Sequence, residues 1–404
     1  MLGRLSVYAD IQQQLGQAVP MRLAPSAPSL FILALSIAAC GAPPPKKQVA
    51  PPPLEPATPL SASASAAPVT AFVPKKVTLE RGAMGTRIVM SSYTSETVDE
   101  LTIGRAMSEA FGEIKRLENL MSTWVATSEV TRINESAGGP AVEVGPDTFA
   151  VIERSVKVAA ESDGVFDITF EAMHGLWKFD EGAVAQVPAP DKIAEARKRI
   201  DYRTIELDGG KPSPPDAKAH TVRLKDKGRK INLGGIAKGY AVDMAARILE
   251  QRGVSAFFVQ AGGDLYVKGR RFDGSPFRVG IRDPRGKDEN DFFALMEVED
   301  HAFSTAGDYE RAFLLDGKRY HHIIDPRTGY PAASTRSVTV WAKDAFTADA
   351  LDDAVFILGP EKGLALIEKT EGAGAVIVDA ANKVWVSERL KKLVAQQRPP
   401  SDGP

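Results

Sequence analysis

The sequence predicts an α+β fold in a single large domain that begins near residue 75. From there onward, strand-like and helix-like patterns of apolar residues alternate, and no motif recurs at a fixed period. Of the 404 residues, 44% are hydrophobic and 25% are charged, which is the usual composition of a globular protein. This composition excludes a mostly disordered, collagen-like or coiled-coil chain, and the length is sufficient for an enzyme-sized core.

The first half of the domain contains one predicted strand and two predicted helices. Residues 87–91 have the character of a short strand, and the apolar residues of 98–121 recur at the spacing of one helix face. A second helix is expected over residues 147–163, because Gly164 follows it and glycine commonly ends a helix.

The second half contains short apolar runs that predict strands and longer runs, ended by glycine, that predict helices. Its final basic stretch is typical of a solvated helix. In chain order we expect a strand at 231–233, a helix at 236–252 that ends at Gly253, strands at 256–260 and 337–342, a helix at 346–358 that Gly359 and Pro360 stop, a closing hairpin at 375–386 and a terminal helix at 389–398.

The N-terminal region has the pattern of a bacterial lipoprotein signal. One arginine, Arg22, precedes a short apolar run at residues 30–39, whereas a transmembrane helix needs roughly 20 apolar residues. Small residues lead directly to Cys40, which would be lipidated and become the mature N-terminus. We therefore predict a signal peptide over residues 1–39, with Met21 as the more natural start. A buried cysteine in a short core helix is the alternative.

The residues after Cys40 predict a spacer between a membrane and the folded domain. Residues 40–74 contain ten prolines, and such a segment stays disordered and semi-extended because it cannot bury enough apolar surface. The folded domain is then expected over residues 75–390, with a polar C-terminal tail at 391–404. A protein of this design would be exported and anchored by lipid on the periplasmic side of a bacterial membrane.

Charge and cysteine content exclude several classes of function. The chain has 50 Lys and Arg against 52 Asp and Glu, a formal net charge of -2, so no basic excess points to a nucleic-acid partner. Because Cys40 is the single cysteine, a disulfide framework and a cysteine-based zinc site are also excluded.

A glycine-rich turn is the first candidate site. Gly234 and Gly235 lead into a predicted helix, so the backbone could approach a ligand closely and free N–H groups at the helix start could face an anion. Lys238 follows, but the segment matches neither the Walker pattern nor G-x-G-x-x-G. A phosphate cradle and an ordinary glycine turn with a surface lysine both remain open on these residues alone.

Two polar clusters complete the candidates. His321 and His322 precede a predicted tight turn, where a histidine could take a proton from an attacking hydroxyl; turn chemistry with exposed histidines is the alternative. Asp349, Asp352 and Asp353 share one face of a predicted helix and could offer hard oxygen ligands to Mg²⁺. Acidic residues early in a helix also complement its dipole, which is the structural alternative.

Together with shorter motifs, these segments resemble the FAD:protein FMN transferases of the ApbE family. Each motif is weak evidence alone, but the set stands in family order across nearly all of residues 80–385. The matching segments are residues 84–86, 121–124, 166–169, 233–240, 261–264, 305–309 and 322–331.

The resemblance implies an enzyme that takes FAD as substrate, splits its pyrophosphate with Mg²⁺ and joins the FMN half to a Thr or Ser hydroxyl of an acceptor flavoprotein, releasing AMP. It implies that His322 is the catalytic base and that Lys238 offsets phosphate charge. The implied metal ligands are the Gly235 carbonyl and the side chains of Asp349, Asp352 and Asp353, and the implied flavin contacts are Met84, Trp124, Phe166, Asp167, Ile168, Asn232, Lys238 and Ile324 or its neighbour Ile323.

Three residues depart from the family pattern. Asn232 replaces a common Asp, Asp353 a common Thr and Ala306 a common Ser. These changes leave open the metal affinity and the balance between transfer to a protein and hydrolysis. Two other functions therefore stay open: a Mg²⁺-dependent FAD pyrophosphatase that gives FMN and AMP, and a non-catalytic FAD-binding lipoprotein.

Overall fold

The computed structural model describes residues 72–179, 182, 184–209 and 220–403. The predicted signal peptide, Cys40 and nearly all of the predicted linker lie outside the described residues. The architecture is the mixed α+β fold that the sequence predicts. A large antiparallel sheet carries a layer of long helices, and smaller sheets surround it.

The helices are α1 (Glu100–Met121), α2 (Glu129–Glu135), α3 (Pro146–Glu161), α4 (Pro190–Arg197), α5 (Ala237–Gln251) and α6 (Ala345–Lys369). Short 3₁₀ turns cover Ile168–Met173, Tyr202–Thr204 and Glu388–Leu390. The strands are β1 (Lys76–Ala83), β2 (Thr86–Tyr93), β3 (Val142–Val144), β4 (Ile205–Asp208), β5 (His220–Leu224), β6 (Phe257–Ala261), β7 (Asp264–Lys268), β8 (Phe277–Arg282), β9 (Phe292–Val298), β10 (His301–Gly307), β11 (Ala312–Leu315), β12 (Lys318–His321), β13 (Ile324–Asp325), β14 (Tyr330–Pro331), β15 (Thr335–Ala342), β16 (Gly374–Asp379), β17 (Val384–Val386) and β18 (Val394–Gln396).

The main sheet has eight strands in the order β1-β2-β6-β7-β10-β15-β16-β17, and every neighbouring pair is antiparallel. Helix α5 packs against α1 and α6, and α6 also lies on β10 and β15. Fully buried residues such as Leu117 of α1 and Val355 of α6 fill this layer. In α1 the buried positions recur every three or four residues along one face, whereas the first half of α6 is buried nearly all round.

One buried carboxylate fixes α5 against the start of α6. The Ala345 and Phe346 N–H groups donate to the two oxygens of Asp243, at 2.8 and 2.9 Å, and these amides would otherwise lack partners at the helix end. Burial raises the pKa of Asp243 to about 7. Asp243 of α5 therefore caps the N-terminus of α6. This cap holds together the two helices that carry the candidate lysine and aspartates.

Most of the predicted elements are confirmed. The predicted strand at 87–91 lies in β2, and the predicted helices at 98–121, 147–163 and 236–252 correspond to α1, α3 and α5. The strands predicted at 256–260 and 337–342 are β6 and β15, and the hairpin predicted at 375–386 is β16 and β17.

Residues 231–233 do not form the predicted strand. Asn134 Nδ2 donates to the Ile231 carbonyl at 2.9 Å, and the Ile231 N–H donates to Asn134 Oδ1 at 2.7 Å. The Asn134 amide thus supplies both hydrogen bonds that a neighbouring strand would supply. The apolar run is a loop with Ile231 and Leu233 buried, and it leads directly to the glycine turn.

Helix α6 continues beyond its predicted stop. Gly359 has φ 76° and ψ 177°, so the helical geometry breaks where the sequence predicts. A second helical segment then begins at Pro360, because proline suits the first turn of a helix.

The predicted terminal helix at 389–398 is wrong. Strand β18 follows the last 3₁₀ turn and pairs with β9, with Val394 opposite Met296 and Gln396 opposite Ala294. The charge pattern predicted a helix here. The backbone N–H and C=O groups instead form hydrogen bonds with the edge of β9. The polar tail predicted from residue 391 therefore contains a paired strand.

Candidate active site

The start of α5, the first half of α6 and the first residue of β7 meet around one lysine. Lys238 Nζ lies 2.9 Å from Asp264 Oδ2 and 3.3 Å from Asp349 Oδ1. The Gly239 N–H donates to the other oxygen of Asp349 at 2.7 Å. Glycine is required at 239 because a Cβ there would lie 2.3 Å from the Ala345 carbonyl oxygen of α6.

A buried serine links this group to the next aspartate of α6. Ser304 Oγ lies 2.6 Å from Asp264 Oδ1 and 2.6 Å from Asp352 Oδ2. A hydroxyl has one proton, so it can donate to only one of these carboxylates at a time. The Asp353 N–H donates to the remaining oxygen of Asp352 at 2.6 Å.

The cluster holds more negative than positive charge. Asp264, Asp349 and Asp352 are buried, and burial raises the pKa of Asp349 to about 7, with the neighbouring Asp264 adding to the effect. Burial, and then the carboxylates of Asp353 and Asp349, raise the pKa of Asp352 well above its usual range. Burial likewise raises the pKa of Asp353 to about 6.

For Lys238, the neighbouring carboxylates outweigh the effect of burial on the pKa. Burial alone would lower its pKa, but the carboxylates of Asp264 and Asp349 raise the pKa well above its ordinary value. The ammonium is therefore charged, and it is shared among several acidic groups. The carboxylates of the cluster outnumber this one ammonium, which makes the site attractive to a further cation.

The donor set fits Mg²⁺ in chemistry, since it consists of hard oxygens. Within the described ranges, however, no group of three or more His, Cys, Asp or Glu side chains has the arrangement of a formed metal site. The carboxylates instead face Lys238, Ser304 and backbone amides. Gly235 lies beside the third aspartate, because a Cβ at 235 would be 3.1 Å from Asp353 Oδ2. The four residues that the resemblance implies as metal ligands thus lie on two adjoining elements.

His322 directly follows the hairpin of β11 and β12, and its N–H donates to the Arg311 carbonyl at 3.1 Å. Its Nδ1 atom is buried and finds no hydrogen-bond partner in the described part of the chain. Burial lowers the pKa of His322 to about 4, and the charges of Arg311 and Lys238 act in the same direction. The imidazole is therefore neutral near pH 7 and able to accept a proton.

His321 has a structural environment instead. Its Nε2 atom lies 2.7 Å from the Ala332 carbonyl oxygen, and its Nδ1 atom accepts from the Ile323 N–H at 3.3 Å. Burial lowers the pKa of His321, which suits a neutral ring donating through Nε2. The alternative of two exposed histidines at a turn is wrong, since His321 is buried and His322 half-buried.

The turn that follows is present as predicted. The Asp325 carbonyl accepts from the Gly329 N–H at 2.7 Å, and Gly329 has φ 78°, a conformation that favours glycine. The Arg327 guanidinium pairs with the Asp325 carboxylate at 2.8 Å.

Several residues implied as flavin contacts gather at the glycine turn. Asn232 donates from its backbone to the Ile168 carbonyl at 2.9 Å, and its side-chain oxygen accepts from the Gly234 N–H at 2.8 Å. Asn232 Nδ2 donates to Glu171 Oε2 at 2.9 Å. Phe166 lies on the other side of the turn, 3.6 Å from where a Cβ at Gly235 would be.

Trp124 lies beside a cleft that continues from this turn. Its side chain is 84% exposed, and its ring stands edge-on to His174, with ring centroids 5.8 Å apart. His174 Nδ1 lies 3.4 Å from Glu171 Oε1, which connects the tryptophan to Asn232. A cavity of about 230 Å³ opens here, and its lining residues are Thr123, Thr131, Asn134, Glu135, Glu171 and Lys230.

The remaining implied contacts have clear local environments. Met84 has φ 52° in the tight turn between β1 and β2, where its N–H donates to Glu118 Oε1 at 2.7 Å. Asp167 caps the 3₁₀ turn Ile168–Met173 by accepting from the Thr169 N–H, at 2.8 Å. Ile324 is half-buried in β13, beside the cluster of apolar residues that includes Trp177.

Four residues of the site were not predicted as functional. Asp264 follows a Gly-Gly pair in one of the motifs that resemble the family, so the sequence marked its position. The motif did not indicate what Asp264 does. Ser304 stands in an ordinary strand, and Glu171 and His174 belong to a 3₁₀ turn and its end, so local patterns could not find them.

Comparison with known proteins decides the family. A family model described as ApbE matches residues 84–377, which include every implied site residue from Met84 to Asp353. The chain belongs to the ApbE family.

Curated relatives and solved structures agree with this membership. A protein of Treponema pallidum named FAD:protein FMN transferase is 33% identical, covering 75% of this chain and 84% of that protein. One of the same name from Escherichia coli K12 is 31% identical over 70% of this chain and 79% of its own length. A crystal structure of the ApbE protein of Thermotoga maritima matches with a TM-score of 0.69 at 34% identity, covering 79% of this chain and 99% of that one.

The structure of the flavin transferase ApbE from Vibrio cholerae matches with a TM-score of 0.68 at 27% identity, covering 80% of this chain and all of that one, 100%. Strand β18 lies beyond the region that the ApbE family model matches, since that region ends at residue 377. None of the helices in the described part of this ApbE-family chain is long and apolar enough to cross a bilayer.

Proposed function

We propose that the protein transfers the FMN moiety of FAD to a Thr or Ser hydroxyl of an acceptor flavoprotein, with Mg²⁺ as the cofactor and AMP as the second product. One observation carries the proposal. A buried cluster of aspartates holds a charged lysine, Lys238, and the charge of this lysine is one of the causes that lower the pKa of His322 and leave it neutral. The names of the relatives support the transfer of FMN from FAD to a protein.

The cleft beside Trp124 suits the binding of FAD. An exposed indole offers a flat face for a flavin ring, and Asn232, Glu171 and His174 offer polar atoms around it. From Asn232 the chain runs directly through the glycine turn to Lys238. A ligand stacked at Trp124 could therefore extend its pyrophosphate toward the cluster of aspartates.

The reaction breaks one phosphorus–oxygen bond and forms another. The acceptor hydroxyl attacks the phosphorus of the FMN half, its proton passes to His322, and AMP leaves with the oxygen that bridged the two phosphates. His322 can accept this proton because its imidazole is neutral near pH 7, and its pKa of about 4 makes it a weaker base than an ordinary histidine. Lys238, held by Asp264 and Asp349, offsets charge that develops on the phosphate oxygens.

Asp349, Asp352, Asp353 and the Gly235 carbonyl would hold the Mg²⁺ ion. When bound, the ion would draw charge from the pyrophosphate oxygens and stabilise the leaving AMP. The excess of carboxylates over ammonium in the cluster supports this assignment.

The proposed setting of the reaction is the periplasmic face of a bacterial membrane. Lipidation of Cys40 would anchor the chain, and the proline-rich spacer would hold the domain away from the bilayer. The acceptors would then be membrane-associated flavoprotein subunits that carry the target Thr or Ser. A Cys40→Ser variant that stays membrane-bound in a cell fraction would contradict this anchor.

The proposed reaction is tested by incubating the purified protein with FAD, Mg²⁺ and a Thr-containing acceptor domain, and by following acceptor mass and AMP in one tube. We expect the acceptor to gain one FMN and AMP to appear in equal amount. AMP with free FMN and an unmodified acceptor would indicate a pyrophosphatase. Intact FAD that stays bound would indicate a non-catalytic binding protein.

A further inference from the structure

Asp264 and Ser304 connect the lysine of the site to the aspartates of α6, yet neither is among the implied catalytic or ligand residues. Both are almost fully buried, with exposed fractions of 1% for Asp264 and 2% for Ser304. They belong to the neighbouring strands β7 and β10, where Phe303 lies opposite Leu265, so Ser304 falls beside Asp264. Their positions are therefore fixed by the main sheet rather than by either helix.

Lys238 has two carboxylate partners that differ in their other contacts. Asp349 also accepts the Gly239 N–H and stands on α6 with the other aspartates. Asp264 stands on β7 and makes the shorter contact, 2.9 Å against 3.3 Å. If Asp264 lacked its charge, the ammonium would be attracted only toward the α6 aspartates, where the cation is proposed to bind.

Ser304 has a matching effect on Asp352. Its hydroxyl lies 2.6 Å from one oxygen of Asp352, while the Asp353 N–H donates to the other oxygen at 2.6 Å. The carboxylate is thereby held in one orientation from two sides. Because the hydroxyl also contacts Asp264, the orientations of Asp352 and Asp264 depend on each other.

We propose that Asp264 and Ser304 are positioning residues of this site. Asp264 binds the Lys238 ammonium from the β7 side, so that the ammonium is shared with Asp349 and not held by the α6 carboxylates alone, and Ser304 fixes the Asp352 carboxylate for the divalent cation. The inference rests on the proposed function for the identity of that cation. It assigns the two residues to cation binding and not to the general stability of the fold.

Calorimetric titration of the full chain with Mg²⁺, in the absence of FAD, tests the role of Ser304. We expect Ser304→Ala to bind Mg²⁺ about ten- to a hundredfold more weakly, the factor that loss of one hydrogen bond to a charged group produces. Thr305→Val is the matched control, because it removes the next hydroxyl of the same strand, whose partner is Thr339 at 3.0 Å. The control should bind Mg²⁺ as the unaltered protein does.

Asp264→Asn tests the other half of the proposal. It keeps an oxygen for Ser304 but removes the charge that holds Lys238. We expect weaker Mg²⁺ binding, and a kcat for FMN transfer that falls while the KM for FAD stays within about threefold, because a positioning residue acts through Lys238 and not on the flavin. A rise in KM with an unchanged kcat would overturn this role.

The outcomes separate the inference from the proposed function. Equal Mg²⁺ affinity in Ser304→Ala and Thr305→Val would overturn the inference, even if the protein transfers FMN. If the unaltered protein binds Mg²⁺ but transfers no FMN, the proposed function fails, and the Mg²⁺ titrations still decide the inference. Should Ser304→Ala fail to fold, Ser304→Thr keeps the hydroxyl and should retain the affinity, and a loss there would contradict the proposal.

Discussion

Gly239 of α5 lies directly against Asp349 of α6: its N–H donates to Asp349 Oδ2 at 2.7 Å, and a Cβ at 239 would lie 2.6 Å from the Asp349 Cβ. The close approach of the two helices and the orientation of a site carboxylate thus depend on one missing side chain. A motif that resembles a phosphate cradle has here a packing function as well.

Gly239→Ala should therefore destabilise the protein by about 1–3 kcal/mol or more, because the added methyl overpacks a close helix contact. Gly112→Ala is the matched control. It lies in α1 with no heavy atom within 4 Å of its Cβ position, so the change should stabilise by up to about 1 kcal/mol through helix propensity. Thermal denaturation checks both changes, and equal melting temperatures would contradict the packing argument.

The raised pKa of Asp349 predicts a pH dependence of stability in EDTA. The folded state holds this proton up to about pH 7, whereas an unfolded Asp loses it near its ordinary pKa, about 4. The folded protein binds more protons in that window, so this group's contribution to stability is present below about pH 4 and is lost as the pH rises to about 7.

Asp349→Asn removes that dependence. We expect its melting temperature to rise relative to the unaltered protein as the pH goes from 5 to 8 in EDTA. Mg²⁺ should raise the melting temperature of the unaltered protein at pH 8, and it should raise that of the variant less. Parallel curves for the two proteins in EDTA would show that burial of this carboxylate does not limit stability.

The two adjacent histidines should separate activity from stability. His322→Asn should slow FMN transfer roughly 10² to 10⁴-fold as a lost general base. It should leave the melting temperature nearly unchanged, since Nδ1 of His322 has no hydrogen-bond partner among the described residues. His321→Asn should instead cost about 1–3 kcal/mol of stability, because the Ala332 carbonyl would lose its donor. The reverse pattern would assign the base to His321.

The hairpin that precedes His322 is anchored by aromatic contacts. Trp177 stacks on Tyr320 with ring centroids 5.8 Å apart, and its Nε1–H donates to the Gly329 carbonyl at 3.0 Å. Trp177→Leu should lower kcat for transfer and leave the Mg²⁺ affinity unchanged, because only the placement of His322 is loosened. Trp385→Leu, on the edge strand β17, is the control and should change neither quantity. A parallel loss of Mg²⁺ binding in Trp177→Leu would contradict this division.

The sequence predicted those parts of the fold and site that depend on local pattern. Asp349, Asp352 and Asp353 share a helix face through their spacing alone, and the tight turn after His322 follows from its residues. Contacts between distant elements could not be predicted in this way. Ser304 joins Asp264 to Asp352 only because of the strand order and the placement of α6, which no short segment encodes.

The misassigned segments have the same cause. Ile231 follows an apolar pattern that is typical of a strand, but a side chain from α2, Asn134, took the place of the partner strand. The residues on either side of 394–396 are polar and basic, which is typical of a solvated helix. Residues 394–396 nevertheless form a strand, because they lie along the edge of β9 and pair with it. In both segments a distant part of the chain decided the backbone hydrogen bonds.

The most direct test of the account compares the unaltered protein with Asp349→Ala in one intact-mass measurement of the acceptor domain. Both proteins are given FAD, Mg²⁺ and the same Thr-containing acceptor, and AMP is measured in parallel. We predict that the unaltered protein adds one FMN to the acceptor with an equal amount of AMP, while Asp349→Ala adds none over the same period. Near-equal modification by the two proteins would contradict the assigned site, and an unmodified acceptor in both would contradict the proposed transfer.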